Sequence, residues 1–243
     1  MSQGFCRTAI AALVSVAVSV AGAAAEDRRQ NQPGKFDYYL LSLSWSPSFC
    51  EGAGERGQDS QNLQCGGRPY GFVVHGFWPE YEAGFPEFCQ VPAPRLDRAI
   101  VSSMLDLMPA PRLIFREWDR HGTCSGLTPH AYFDTIRKAR AIVKIPQPYL
   151  DGSCRRLEVS RRLTVRPNEV AEAFVKANPE LPRDAVSVTR DGNRLSEVRI
   201  CMSKELGFRD CPDTARRSCR REQAVMPPMR GGRAKLENAS PVR

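Results

Sequence analysis

The first strong pattern is a nearly continuous run of aromatic and leucine residues from Phe36 to Trp45. It predicts a strand lying mostly inside the protein. Glu51 to Gly67 is rich in glycine and charge and predicts a loop. Cys50 and Cys65 bracket it, close enough in sequence for a bridge to shut it. Gly71-Phe72-Val73-Val74-His75 predicts a short apolar strand that delivers a histidine at its end, with Gly76 allowing a tight exit. Phe77-Trp78-Pro79-Glu80-Tyr81 then reads as a surface loop with heavy aromatic content. Leu96 to Met108 has apolar residues at helical spacing and is ended by Pro109 and Pro111.

Leu113 to Cys124 predicts a second helix, with Leu113, Ile114, Trp118 and His121 at helical spacing and Gly122 as the stop. On it Glu117 and His121 are four residues apart and share a face, while Arg116 and Arg120 share an adjacent one. A third helix is expected from Pro129 to Val143, facing Tyr132, Phe133, Ile136 and Ala139 inward. Leu157 to Val165 alternates basic and apolar residues as an exposed strand would. Pro167 to Ala177 predicts a short helix. Ala185 to Arg190 and Leu195 to Met202, joined through Asp191-Gly192-Asn193, predict a hairpin. Leu206-Gly207-Phe208 would add an edge strand.

The two ends look different from this middle. Arg7, an apolar run from Thr8 to Val20 and the small residues Ala21 to Ala25 have the form of a secretory signal peptide, cut before Glu26. Residues 26–35 then read as a flexible arm and 220–243 as a basic mobile tail, which leaves 36–219 as a single domain. Cys6 falls in the leader, and eight of the nine cysteines remain after it. An even number without any CxxC spacing suits an oxidising compartment, periplasmic or extracellular, and argues against a zinc ribbon. Composition leaves their pairing open. No stable membrane insertion is expected. The net charge of +8 favours encounter with a polyanion, although part of the excess lies in the tail.

Only three histidines occur, His75, His121 and His130. Histidine is the side chain suited to proton transfer near neutral pH. In RNA the ribose 2′-hydroxyl can attack its own phosphate. That step needs a base for the 2′ proton, an acid for the departing 5′ oxygen, and preorganised charge around the phosphorane. Glu117 could support His121 one turn away, and Arg116 and Arg120 could offer fork donors to phosphoryl oxygens. The same residues also admit plainer readings. Arg116 and Arg120 could be solvated cations paired with Glu117 and Asp119. Trp78 and Trp118 could be core, and His130 could be a capping or surface residue.

Two segments decide between these readings. Phe72-Val73-Val74-His75-Gly76-Phe77-Trp78-Pro79 resembles the first active-site signature of the ribonuclease T2 family. Glu117-Trp118-Asp119-Arg120-His121-Gly122-Thr123-Cys124 resembles the second. Leu195-Ser196-Glu197-Val198-Arg199-Ile200-Cys201 and Asp210-Cys211-Pro212 also look like the family's C-terminal pattern. The resemblance, in its bacterial, RNase I-like form, implies an α+β fold with an antiparallel sheet packed against several helices. It implies an endoribonuclease acting on single-stranded RNA through 2′,3′-cyclic phosphates without cofactor or metal. DNA, lacking the 2′-hydroxyl, would not be cleaved, and the protein would be monomeric.

Carried onto these positions, His121 is the general base and His75 the general acid, with Glu117 and Arg120 stabilising the pentacoordinate state. Trp78 and Glu80 fall where the family holds phosphate and the upstream base. Tyr81 and Phe85 would offer further stacking surfaces. Arg116 stands where the family usually has an auxiliary, phosphate-holding histidine, keeping a cation but losing a titrating group. The cysteines fit the resemblance too, with Cys89–Cys124 and Cys201–Cys211 matching its bridges. Cys50–Cys65 fits by proximity. Cys154 and Cys219 remain, although Cys154 comes earlier than the family's usual partner.

Overall fold

The computed structural model describes residues 30–55, 63–66, 68–150, 163–211 and 223–229. The leader, most of the predicted 157–165 strand and the Cys154–Cys219 pair lie outside them. Strand β1 (Tyr38–Trp45) runs directly into helix α1 (Ser46–Glu55). Strand β2 (Phe72–Glu80) precedes the helices α2 (Arg98–Met104), α3 (Pro111–Arg120) and α4 (Pro129–Ile142). Strand β3 (Leu163–Val165), helix α5 (Pro167–Ala177) and strands β4 (Val186–Asp191), β5 (Arg194–Met202) and β6 (Ala224–Met226) follow. The strands form one sheet in the order β2-β1-β5-β6-β3, with β4 also paired to β5. All pairings are antiparallel except the short β5–β6 contact. This is the expected α+β architecture.

All eight residues of β1 are buried, because both faces of this inner strand are covered. Tyr39, Leu41, Leu43 and Trp45 face the main core with Phe77, Ile114, Trp118 and Ile200. Tyr38 and Leu40 face the other way, with Trp78, Cys201 and Cys211. Fully burying one such apolar side chain stabilises the fold by about 1.5–3 kcal/mol, so the inner face of β1 anchors the sheet. The helices dock by their apolar stripes. In α4, Thr128 caps the amide of Ala131 at 3.3 Å, Pro129 opens the first turn, and Tyr132, Phe133, Ile136 and Ala139 are buried as the spacing predicts.

Several sequence expectations need correction. The chain from Glu51 to Glu55 is helical, the end of α1, rather than loop. Phe77 to Glu80 is no surface loop but the second half of β2, with Phe77, Trp78 and Glu80 buried. Pro79 is tolerated there because β2 is the sheet's edge strand, where a missing N–H breaks no inner ladder. The Leu96–Met108 helix is shorter, Arg98–Met104, capped by Asp97. Phe208 contributes only an isolated bridge to Met202. Residues 223–229, placed by sequence in the mobile tail, pack against the sheet: Ala224 and Met226 are buried, and the Trp45 indole donates to Pro227 O at 3.0 Å. The N-terminal arm is also held at its end, where Gly34 N donates to Cys124 O at 2.9 Å.

The disulfides Cys50–Cys65, Cys89–Cys124 and Cys201–Cys211 are closed. The second ties the loop after β2 to the turn after α3.

Candidate functional site

His75 owes its direction to a bulge. The β1–β2 register pairs Ser42 with Gly76 and Leu43 with Val74, which leaves His75 without an opposite residue. An extra residue of this kind bends the strand and re-aims its side chain. Ser44 opposite Val73, Ser42 opposite Gly76 and Leu40 opposite Trp78 mark the face that His75 joins. Gly76, expected from sequence to give a tight exit after His75, instead lies inside β2. It makes room: a Cβ at this position would overlap both the Trp78 indole and the Glu117 carboxylate.

Helix α3 brings the second set. Its amphipathic spacing buries Ile114, Glu117 and Trp118, and His121 caps its C-terminus, with His121 N donating to Glu117 O at 3.0 Å. The chain then tightens into a 3-10 turn, Gly122–Ser125. The left-handed residue is Gly126 at φ 75°, not Gly122. Gly122 is required for another reason, since a Cβ there would overlap Trp118 and crowd Tyr132.

The two elements meet through Trp78. Its indole N–H donates to Glu117 Oε2 at 2.6 Å. Its ring lies 5.3 Å from the His75 ring, edge to face, and 5.3 Å from the His121 ring. Glu117 Oε1 is 3.8 Å from His75 Nε2. The site residues open on a cleft of about 390 Å³ that also receives Glu80, Phe85, Arg116 and Arg120. Phe85 is half exposed beside His121, with ring centres 6.3 Å apart. Arg120 lines the cleft while pairing with Glu87 at 2.8 Å. Tyr81 is the exception: it is 3% exposed and packs into the main core, leaving no open face for stacking. His130 borders a separate hollow between α2 and α4, with Ser103, Asp134 and Arg137.

Two neighbours of His75 were not among the residues expected from sequence at the site. Glu197, 5% exposed on β5, hydrogen-bonds His75 Nδ1 through Oε1. Arg199 binds Glu197 Oε2 through Nε at 2.8 Å and a terminal nitrogen at 2.7 Å, and its guanidinium lies 5.2 Å from the Trp78 ring centre. Their sequence signals were the likeness of Leu195–Cys201 to the family's C-terminal pattern and the alternation of charged residues inside an otherwise apolar strand.

The histidines sit in opposed environments. Burial and then the nearby charges of Arg120, His75 and Arg116 press the pKa of His121 down to about 3. Its Nδ1 is buried with no hydrogen-bond partner among the described residues. Burial also works against a charged His75, but the hydrogen bond and charge of Glu197, helped by Glu117, outweigh it and raise His75 above its ordinary value. Burial opposes the charge on Glu197 as well, yet His75 and Arg199 overcome it and hold the carboxylate at about 2. Glu117 is raised, chiefly by burial, with His75, Trp78 and Arg116 offsetting part of the rise. Within one cleft the surroundings thus favour the neutral form of His121 and the charged form of His75. Environments that push paired groups apart in this way suit one of them to take a proton and the other to give one.

A model of the Ribonuclease T2 family matches residues 36–211. A ribonuclease of Aeromonas hydrophila is 41% identical over 180 residues, covering 72% of this chain and 76% of that protein. Among solved structures, the RNase-related protein from Calystegia sepium aligns with a TM-score of 0.62 at 21% identity, over 79% of this chain and 97% of its own. RNase NT, solved in complex with 5′-AMP, aligns with a TM-score of 0.58 at 24% identity, over 80% and 99% of the two chains. At these identities the two structures speak to the fold.

Proposed function

The chain belongs to the ribonuclease T2 family and is a T2-type ribonuclease, and on that premise we propose that it is an endoribonuclease cutting single-stranded RNA by transphosphorylation. His121, held neutral, takes the proton of the ribose 2′-hydroxyl. The freed oxygen attacks the adjacent phosphorus, and His75 gives its proton to the departing 5′ oxygen. The products are a 2′,3′-cyclic phosphate and a new 5′-hydroxyl. When water later opens the cycle, the two histidines exchange roles.

Glu117 and Arg120 stabilise the charged pentacoordinate phosphorus, Glu117 as a hydrogen-bond donor when protonated and Arg120 as a cation. Arg116 supplies further positive charge at the mouth, in the place of a titrating residue. Trp78, Glu80 and Phe85 receive phosphate and bases, with stacking supplying grip that is largely indifferent to sequence. Nothing in this chemistry requires a metal ion or cofactor, because the nucleophile belongs to the substrate and the proton carriers to the protein.

The observation that carries this reading is the sharing of one indole by both imidazoles, with Glu117 bonded to its nitrogen and facing His75. The 41% identity to the Aeromonas hydrophila ribonuclease supports placing the chain among bacterial, RNase I-like members. The three closed disulfides support export to the periplasm or medium after loss of residues 1–25, with residues 36–219 carrying the catalysis. Incubation of the oxidised protein with single-stranded RNA in EDTA tests the chemistry. Fragments ending in 2′,3′-cyclic phosphate, with single-stranded DNA left intact, are expected. Abolition of cleavage by EDTA, or equal cleavage of DNA, overturns it.

A further inference from the structure

Three strands are needed to build the environment of His75, and the middle one is deliberately thin. The register sets Glu197 opposite Ser44 and Arg199 opposite Ser42, while Ser42 itself is opposite Gly76 on β2. Residues two strands apart are separated by about 9.5 Å, so their side chains meet only where the intervening residues are small. Ser42 and Ser44 leave that gap, and the bulge at His75 turns the ring into it. Glu197 crosses above β1 to reach Nδ1.

We propose that Glu197, clamped by Arg199, is a positioning residue that fixes the tautomer and orientation of His75 and keeps its acid form available. The carboxylate accepts from Nδ1–H, which leaves Nε2 as the nitrogen that carries the transferable proton. Nε2 is the ring atom that faces Glu117 at 3.8 Å. Arg199 occupies the second carboxylate oxygen with two donors, so Glu197 cannot rotate away without breaking them. A buried carboxylate behind a catalytic imidazole acts in this way in serine hydrolases, holding the ring and stabilising the imidazolium without itself taking the proton.

The charged groups facing His75 are Glu197 and Arg199 from β5 and Glu117 from α3, with Arg116, Arg120 and His121 in the same cleft. From β1 the register brings Ser42 and Ser44. Of these, Glu197 alone bonds the imidazole nitrogen turned away from Glu117. Removing its charge should therefore lower the pKa of His75, while removing Arg199 should raise it.

This inference rests on His75 serving as the acid, and the experiment separates the two. Wild type, Glu197→Gln, Arg199→Met and His75→Ala are compared on uridylyl-3′,5′-adenosine and on uridine 3′-(4-nitrophenyl phosphate), whose leaving group needs no proton. His75→Ala should lose activity selectively on the dinucleotide; an equal loss on both substrates overturns the acid role itself. Glu197→Gln should lose between about tenfold and a hundredfold on the dinucleotide, part of the ~10²–10⁴-fold that general acid catalysis supplies, and little on the aryl ester. Its alkaline limb of kcat/KM, and the His75 NMR titration, should move to lower pH. Arg199→Met should move both to higher pH, which keeps the test open if Glu197→Gln does not fold. A selective His75→Ala defect alongside an unmoved His75 titration in both other variants overturns the role of Glu197 alone.

Discussion

The indole nitrogen of Trp78 and the buried carboxylate of Glu117 are bonded at 2.6 Å, joining the edge strand β2 to helix α3 inside the cleft. An aromatic residue that could have been plain core thus orients the acidic group that faces His75. Trp78→Phe keeps most of the ring but removes the donor, leaving a buried oxygen unsatisfied. Urea unfolding is expected to show a loss of about 1–3 kcal/mol, with a fall in kcat/KM larger than that loss of fold explains. Unchanged activity would place Glu117 under some other control.

The opposed histidines predict a wide bell in kcat/KM against pH. With His121 as the proposed base, activity needs its neutral form, so the acid limb should lie near 3 rather than at histidine's ordinary 6.5. With His75 as the proposed acid, activity also needs its protonated form, so the alkaline limb should lie above 6.5. An acid limb near 6.5 in an initial-rate profile contradicts the environment described for His121.

Stability should carry the same signature. His121 is depressed in the fold from 6.5 to about 3, so the unfolded chain binds the extra proton between those values and stability falls as pH falls through them. Glu197, lowered from 4.5 to about 2, adds its own loss only below about 4.5. Glu117, raised from 4.5, acts in the opposite direction just above it. Comparison with His121→Gln between pH 6.5 and 4.5 therefore isolates the imidazole. The variant's unfolding free energy should decline less with acid than that of the wild type; parallel curves would mean that His121 is not held neutral.

Gly76→Ala places a methyl group where Trp78 and Glu117 already touch. Overpacking of this kind costs about 1–3 kcal/mol, and here the indole–carboxylate bond must also part. Both thermal unfolding and turnover should suffer. A variant with native melting and full activity would show that the contact is slack.

Much of the scaffold was legible from local pattern. Helices α4 and α5 have clear apolar stripes with proline at their starts, and the Asp-Gly turn marks the β4–β5 hairpin, where Gly192 has φ 58°. His75, Glu117 and His121 stood out through residue chemistry and the family's two signatures. What failed depended on distant partners. Phe77 to Tyr81 resembles loop in composition, and only its burial against β1 and α4 makes it strand and core. Tyr132, for example, donates to Phe77 O at 2.7 Å. Ala224 to Met226 is too short to announce itself, and it is a strand because β3 and β5 offer it edges. Glu197 meets His75 from 122 residues away, across a strand whose serines seemed unremarkable.

The Cys89–Cys124 bond has a consequence for the cell that makes this enzyme. It closes a loop of 35 residues onto the turn beside His121, a constraint of about 3–4 kcal/mol in chain-entropy terms. With free thiols that turn loses its brace, and a dithiothreitol titration should silence RNA cleavage before circular dichroism reports unfolding. On the export proposed above, a chain still in a reducing cytosol would lack this brace, and the turn beside His121 would be locked only where sulfur is oxidised.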